Sequence, residues 1–189
     1  MANIYMVRHG QSVANIEHKY QGQSYDTDLT ELGKTQALDV GNKLQTRDIK
    51  IIYSSPLKRA QQTADIIATK LSLKVFSEDL LKETDHGDWC YLTDEQIKTK
   101  WPEMYEMWQT SPSQVIFPNG EDFQNQTAKR VVDWWQALDK NKNTVIVSHE
   151  NIMQIIITFI LGQSLDHIWE HRVKNGDVIC LDSDNIEIC

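Results

Sequence analysis

Ile4-Tyr5-Met6-Val7 runs directly into Arg8-His9-Gly10, and this junction decides how the chain is read. The four apolar residues form a run short enough for a buried strand. The next three place a permanent cation, an imidazole and a residue free to turn at the end of that strand. In open α/β sheets, ligands collect beyond such strand ends. Two further runs end in the same manner. Ile51-Ile52-Tyr53 leads into Ser54-Ser55-Pro56, with Arg59 shortly after, and the strand pattern at 144–147 leads into Ser148-His149. The three connections carry His9, Arg59 and His149 toward one crevice.

Helical patterns separate these strands. Thr30 is placed to cap a helix that buries Ala37, Val40 and Leu44. Ser55-Pro56 is read as opening the next helix, with proline at its first position and Ala60, Ala64, Ile67 and Leu71 inside. Residues 121–138 show one apolar face, Phe123, Thr127, Val131, Trp134 and Leu138, with Trp135 on the outer surface. The apolar run 152–161 is read as a buried helix, and 178–181 as the final strand. Residues 80–120, rich in charge and tryptophan, are expected to form a mostly helical insertion, with helices over 94–108 broken near Pro102. Trp89 and Trp108 in this insertion are packing residues first and pocket-lining candidates second. The alternation predicts one α/β domain over residues 1–189, a three-layer fold with a mainly parallel sheet and helices on both faces.

Composition narrows the function classes. The 189 residues suffice for one full core, and the net charge of -8 argues against a nucleic-acid surface. It leaves room for an anionic small substrate, because salt screens charges beyond about 8 Å and a pocket can be locally positive. The run 152–161 is shorter than the roughly 20 residues needed to cross a bilayer, so no membrane partner is expected. The N-terminus lacks the pattern of a secretory leader. Cys90, Cys180 and Cys189 are odd in number and far apart in sequence, from which we expect no disulfide and a cytoplasmic location. No cysteine-pair zinc site fits that spacing. His167 and His171 have the spacing of a helical metal pair, but no completing motif lies near, so a surface pair is expected.

A neutral His9 is a nucleophile for phosphorus. Arg8 and Arg59 present planar forks of donors that match phosphoryl oxygens, and His149 adds another donor. Arg59 falls in a first helical turn, whose N-terminus also favours an anion. A leaving alkoxide needs a proton, and Glu83 is the candidate acid, with Asp85 and Asp88 in reserve. Each residue taken alone has an ordinary reading: a strand-end histidine, a solvated arginine, a helix cap or a surface charge.

Together the segments resemble the histidine phosphatase superfamily, in its phosphoglycerate mutase-like branch. The resemblance rests on Arg8-His9-Gly10-Gln11-Ser12 with Asn15, Gln21-Gly22, Leu29 to Gly33, Tyr53 to Ala60, the Glu83 region with Gly87-Asp88-Trp89, Pro118 to Glu121, and Val147-Ser148-His149. It implies a phosphoglycerate mutase-like fold and a phosphohistidine intermediate on His9. It further implies a phosphate pocket of Arg8, Arg59 and His149, and a proton donor at Glu83. Asn15, Gln21 and Gly22 match substrate-facing loop positions. Neither metal nor organic cofactor is implied, and the partner is a small phosphorylated molecule. Oligomeric state is left open. Two places depart from the pattern: Glu150 stands where glycine is usual, and Cys90-Tyr91 where glutamate-glycine is usual. Glu150 is open to three roles: repelling phosphate, gripping a cationic part of the substrate, or pointing away. The segment 92–102 resembles the small phosphatases and lacks the motif by which the mutases grip phosphoglycerate. Hydrolysis is therefore expected, with mutase-type transfer and non-catalytic binding of phosphorylated ligands as the alternatives.

Overall fold

The structure is a computed structural model that describes residues 2–181 and 186–189. In chain order its regular elements are β1 (Ile4–Arg8), α1 (Val13–Ile16), α2 (Glu31–Leu44), β2 (Ile51–Ser54), α3 (Lys58–Leu71), β3 (Val75–Ser77), α4 (Asp94–Lys100), α5 (Pro102–Thr110), α6 (Lys129–Ala137), β4 (Thr144–Ser148), α7 (Glu150–Ile160), β5 (Val178–Leu181) and β6 (Ile186–Ile188). The strands form one sheet in the order β3-β2-β4-β1-β5-β6. β1, β2, β3 and β4 pair in parallel, while β5 and β6 add antiparallel edges.

Alternation along each strand explains the layers. Tyr5 and Val7 of β1, with Val145 and Val147 of β4, face a cluster completed by Val40 and Leu44 of α2 and Ala60, Ala64 and Ile67 of α3. Ile4, Met6 and Ile146 face the opposite cluster, with Val131 and Trp134 of α6 and Ile152 and Ile156 of α7. All five residues of β4 are buried, as a central strand covered on both faces requires. The insertion sends Leu81, Trp89, Ile97, Trp108 and Phe117 into this second cluster, so it is part of the core. The α/β three-layer expectation is met, and the break at Pro102 falls between α4 and α5.

Several details differ from the sequence reading. The third helix starts at Lys58, not Pro56, because Leu57 is still extended, with ψ 135°. The amphipathic run 121–138 is not one α-helix. Asp122 caps a π-helical turn over Phe123–Ala128, and α6 follows it. Thr127 N–H reaches back five residues to the Asp122 carbonyl at 3.1 Å. Trp135 is buried with Trp134 instead of lying outside. Two short edge strands, β3 and β6, escaped detection because three residues carry almost no periodic signal. Cys180 and Cys189 are paired as a disulfide, against expectation. The β5–β6 hairpin folds residue 189 back onto residue 180, a closeness that linear spacing conceals.

Candidate active site

β1, β2 and β4 lie side by side, so their carboxyl ends deliver Arg8, Ser54 and Ser148 to one edge. His9 directly follows β1. Its N–H donates to the Ser148 carbonyl at 3.0 Å, and the His9 carbonyl accepts from Asn175 Nδ2 at 3.0 Å. The ring is 2% exposed. Nδ1 lies 2.8 Å from the Gly10 carbonyl, which only accepts, so Nδ1 carries the proton and Nε2 the lone pair. Arg59 Nε, a pure donor, approaches Nε2 at 3.3 Å and requires the same assignment. Burial, and then the charges of Arg59 and Arg8, hold the His9 pKa well below the usual histidine value. The imidazole is therefore neutral at neutral pH, the form in which it is a nucleophile. Gly10 turns the chain where any Cβ would strike the Gly33 carbonyl at the start of α2.

Arg59 is 1% exposed and fully directed. Nη2 donates to the Gly22 carbonyl at 2.9 Å and Nη1 to Asp26 Oδ1 at 3.2 Å. Asp26 Oδ2 also accepts from the Lys58 N–H at 2.7 Å. The helix N-terminus expected to favour a bound anion is thus answered by a carboxylate of the protein itself. Gly22 adopts φ +51°, and a Cβ there would lie 2.7 Å from Cys90 Sγ. The departure at Cys90 therefore packs against the turn that orients Arg59.

Arg8 Nη1 donates to the Val173 carbonyl at 2.5 Å and pairs with Glu150 Oε2 at 2.8 Å. Its Nε is buried and has no partner among the described residues. His149 directly precedes α7 without a side-chain capping bond, and it packs against His9, with ring centroids 5.2 Å apart. Its Nε2 lies 2.8 Å from Ser55 Oγ, while Nδ1 is buried without a partner among the described residues. Burial, and then Arg59, hold its pKa well below the usual value. Arg8 Nε and His149 Nδ1 thus both keep hydrogen-bonding capacity beside the neutral His9 imidazole.

Glu83 is buried, and burial raises its carboxyl pKa to about 6 against the opposing pull of the Thr84 N–H, Arg59 and Arg8. Its segment is held from four sides. Arg130 donates to the Leu80 carbonyl at 2.6 Å and to the Glu83 carbonyl at 3.1 Å. Gln23 also donates to the Glu83 carbonyl, Ser148 Oγ donates to the Leu81 carbonyl, and Glu121 accepts from the Asp85 N–H. Cys90-Tyr91 does not displace Glu83 from the cleft.

A cavity of about 290 Å3 is lined by Arg8, His9, Arg59 and Glu83, and also by Asn15, Gln21, Gly22 and Glu150. His149 does not itself line the cavity, but its ring lies directly against that of His9, which does. Asn15 Oδ1 is used up in capping α1, accepting from the Ser12 N–H at 3.0 Å. Gln21 Oε1 accepts from Ser12 Oγ at 2.9 Å. The lining residues that were not foreseen include His86, Asn151, Trp169 and Arg172. His86 lies in the Glu83 segment, is buried edge-on to Phe117, and is pushed down to about 3 by burial. Nothing in the spacing distinguished it from a core histidine. His167 and His171 are engaged elsewhere, with Glu170 and Gln163. Among the described residues, no three histidine, cysteine or acidic side chains gather to hold a metal ion. No helix of the described residues is long and apolar enough to cross a membrane.

Comparison with known proteins agrees with this geometry. The sequence pattern of the histidine phosphatase superfamily (branch 1) matches residues 4–187. The chain belongs to this superfamily. Phosphoserine phosphatase 1 of Hydrogenobacter thermophilus is 35% identical over 179 residues, covering 93% of this chain and 84% of that protein. A 2,3-bisphosphoglycerate-dependent phosphoglycerate mutase of Bartonella bacilliformis is 31% identical over 182 residues, covering 90% and 87%. Among solved structures, a mycobacterial glucosyl-3-phosphoglycerate phosphatase superposes with a TM-score of 0.82 at 28% identity, covering 95% of this chain and 89% of that one. This member of the superfamily is a phosphatase that works through histidine chemistry, and its named relatives act on small phosphorylated substrates.

Proposed function

We propose that His9 is the phosphorylated nucleophile, that Arg8, Arg59 and His149 hold the phosphoryl oxygens, and that Glu83 is the acid and base. The observation that carries this reading is the unprotonated Nε2 of His9, set 3.3 Å from Arg59 Nε. The orphaned Arg8 Nε and His149 Nδ1 accompany it. In the first step Nε2 bonds to phosphorus as the ester P–O bond breaks, and Glu83 gives its proton to the departing oxygen. In the second step water bonds to phosphorus, yields a proton to Glu83, and the N–P bond breaks to release inorganic phosphate. Donors fixed before the reaction stabilise charge on the transferred group without reorganising. A pKa near 6 lets Glu83 serve in both directions near neutral pH. Asn15, Gln21 and Gly22 complete the loop wall on which the substrate rests.

Water as the acceptor is supported by the higher identity to a phosphatase than to a mutase. Non-catalytic binding was suggested by a carboxylate at position 150. Turnover is favoured over it because that carboxylate is paired with Arg8, and Cys90-Tyr91, the other departure, leaves Glu83 in the cleft. A panel of phosphomonoesters assayed in chelator tests the reading. Release of inorganic phosphate is expected, with no interconversion of phosphoglycerates. Phosphoglycerate interconversion without net phosphate release would make the enzyme a mutase.

A further inference from the structure

The turn over residues 173–177 closes on the junction that carries Arg8 and His9. Gly176 N–H donates to the Arg8 carbonyl at 3.1 Å, and Arg8 N–H donates to the Asp177 carbonyl at 3.2 Å. The turn is itself fixed. Asp177 N–H donates to the Lys174 carbonyl at 3.0 Å, and Asp177 Oδ2 accepts from the Lys174 N–H at 2.7 Å. Gly176 adopts φ +79°, and a Cβ there would lie 2.9 Å from Gln36 Cβ of α2. Within this turn the Asn175 side chain has two partners. Nδ2 donates to the His9 carbonyl at 3.0 Å and to Asn15 Oδ1 at 3.2 Å. An amide NH2 carries two hydrogens, one for each acceptor.

Two backbone groups fix which end of each amide is which. The His9 carbonyl only accepts, so the Asn175 atom facing it is nitrogen. The Ser12 N–H only donates, so the Asn15 atom 3.0 Å from it is oxygen. That oxygen also lies 2.9 Å from Ser12 Oγ. The Asn15 amide is thereby held by its oxygen, between Ser12 and Asn175, while its nitrogen makes no hydrogen bond among the described residues. Asn15 lines the same cavity as Arg8, His9 and Arg59, whereas Asn175 does not. We propose that Asn175 is a positioning residue that fixes the His9 main chain and turns the Asn15 amide so that its NH2 faces the phosphoryl group. The proposal rests on the phosphatase reading above and adds the residue that sets the polarity of the loop wall. An amide turned the other way would set its carbonyl oxygen against the phosphoryl oxygens, acceptor against acceptor. Turned as it is, it adds a donor fixed before the reaction.

The experiment is a double-mutant cycle read on inorganic phosphate, used as a competitive inhibitor of nitrophenyl phosphate hydrolysis. Asn175→Asp keeps the size of the side chain but offers acceptors where the His9 carbonyl and Asn15 Oδ1 need donors. In the wild-type background it should weaken phosphate by about tenfold or more, the scale of one hydrogen bond to a charged group. The added charge also acts on the anion directly, and that part persists when Asn15 is changed to alanine. In the Asn15→Ala background the same substitution should therefore cost about threefold or less, because no amide remains to turn. The same factor in both backgrounds, or an inhibition constant that Asn175→Asp leaves unchanged, would overturn the positioning role while leaving the phosphatase intact. Should Asn175→Asp fail to fold, the side-chain amide NMR signals of wild type decide. Added phosphate is expected to move the NH2 signals of Asn15, identified by their loss in Asn15→Ala, and to leave those of Asn175 in place. Asn15 signals that phosphate does not move would overturn the proposal. A wild type that neither binds phosphate nor hydrolyses the ester would overturn the phosphatase reading, and the positioning role with it.

Discussion

Glu83 concentrates the conflict between stability and chemistry in one side chain. Its carboxyl is raised from about 4.5 to about 6, first by burial. A group raised in this way contributes full stability below its unfolded value. That contribution is lost as pH rises through about 6, where the folded state is forced to hold a buried charge. The shift amounts to roughly 2 kcal/mol at most. Glu83→Gln should therefore raise Tm at pH 8 by about 4–8 °C, with little change at pH 4. The same variant should lower turnover of an alkyl phosphate about 100-fold or more, and of nitrophenyl phosphate less, because that leaving group needs no proton. Calorimetry at the two pH values and paired assays check this. Unchanged turnover of the alkyl ester would move the acid to Asp85 or Asp88. Arg8, His9, Arg59 and His149 were legible in the sequence because each sits in a short motif beside a strand. Asp26 and Asn175 were not, since each acquires its role only from a partner brought up by the fold.

At the scale of elements, the acid-bearing segment depends on α6 and the π-helical turn before it. Arg130 bridges Glu121 to the Leu80 and Glu83 carbonyls, and Glu121 also accepts from Thr127 Oγ at 2.7 Å. The turn sets the register that places Thr127 and Arg130 on Glu121 together. Arg130→Met should cost about 2–3 kcal/mol, since it strips hydrogen bonds from a largely buried carboxylate and two carbonyls. It should also lower kcat on alkyl esters more than on nitrophenyl phosphate, because it disturbs the acid and not the nucleophile. Chemical denaturation and the two assays measure these effects, and an equal loss on both esters would contradict the positioning role. The face Phe123, Thr127, Val131 and Trp134 was visible from its spacing, and all four are buried. The π turn within it was not, because apolar spacing does not report which carbonyl each N–H selects. The late start of α3 was equally hidden. Ser55 meets His149 across the sheet, and Leu57 N–H donates to Ser55 Oγ at 3.3 Å, contacts set by tertiary structure.

The whole molecule gathers its site from segments scattered between residues 8 and 172, so ligand binding should brace the entire domain. Inorganic phosphate at about 100 times its Kd should stabilise by about 2.7 kcal/mol and raise Tm by about 5–10 °C. Arg59→Met should lose most of that gain, and a phosphate-independent Tm in wild type would contradict the assembled pocket. A mainly parallel sheet was inferable from alternating strands and helices, but its order was not, because the two edge strands β3 and β6 left no periodic signal. The disulfide was not, because closure of Cys180 on Cys189 depends on a hairpin invisible in the spacing. A covalent phosphoenzyme on His9 would be caught by a rapid quench. Enzyme mixed with a labelled phosphomonoester is stopped in alkali, and the protein-bound label is then exposed to acid. The label is expected to survive alkali, to be released by acid, to map to the peptide containing His9, and to be missing from His9→Ala. Full turnover by His9→Ala, or the same label retained in it, would contradict the account.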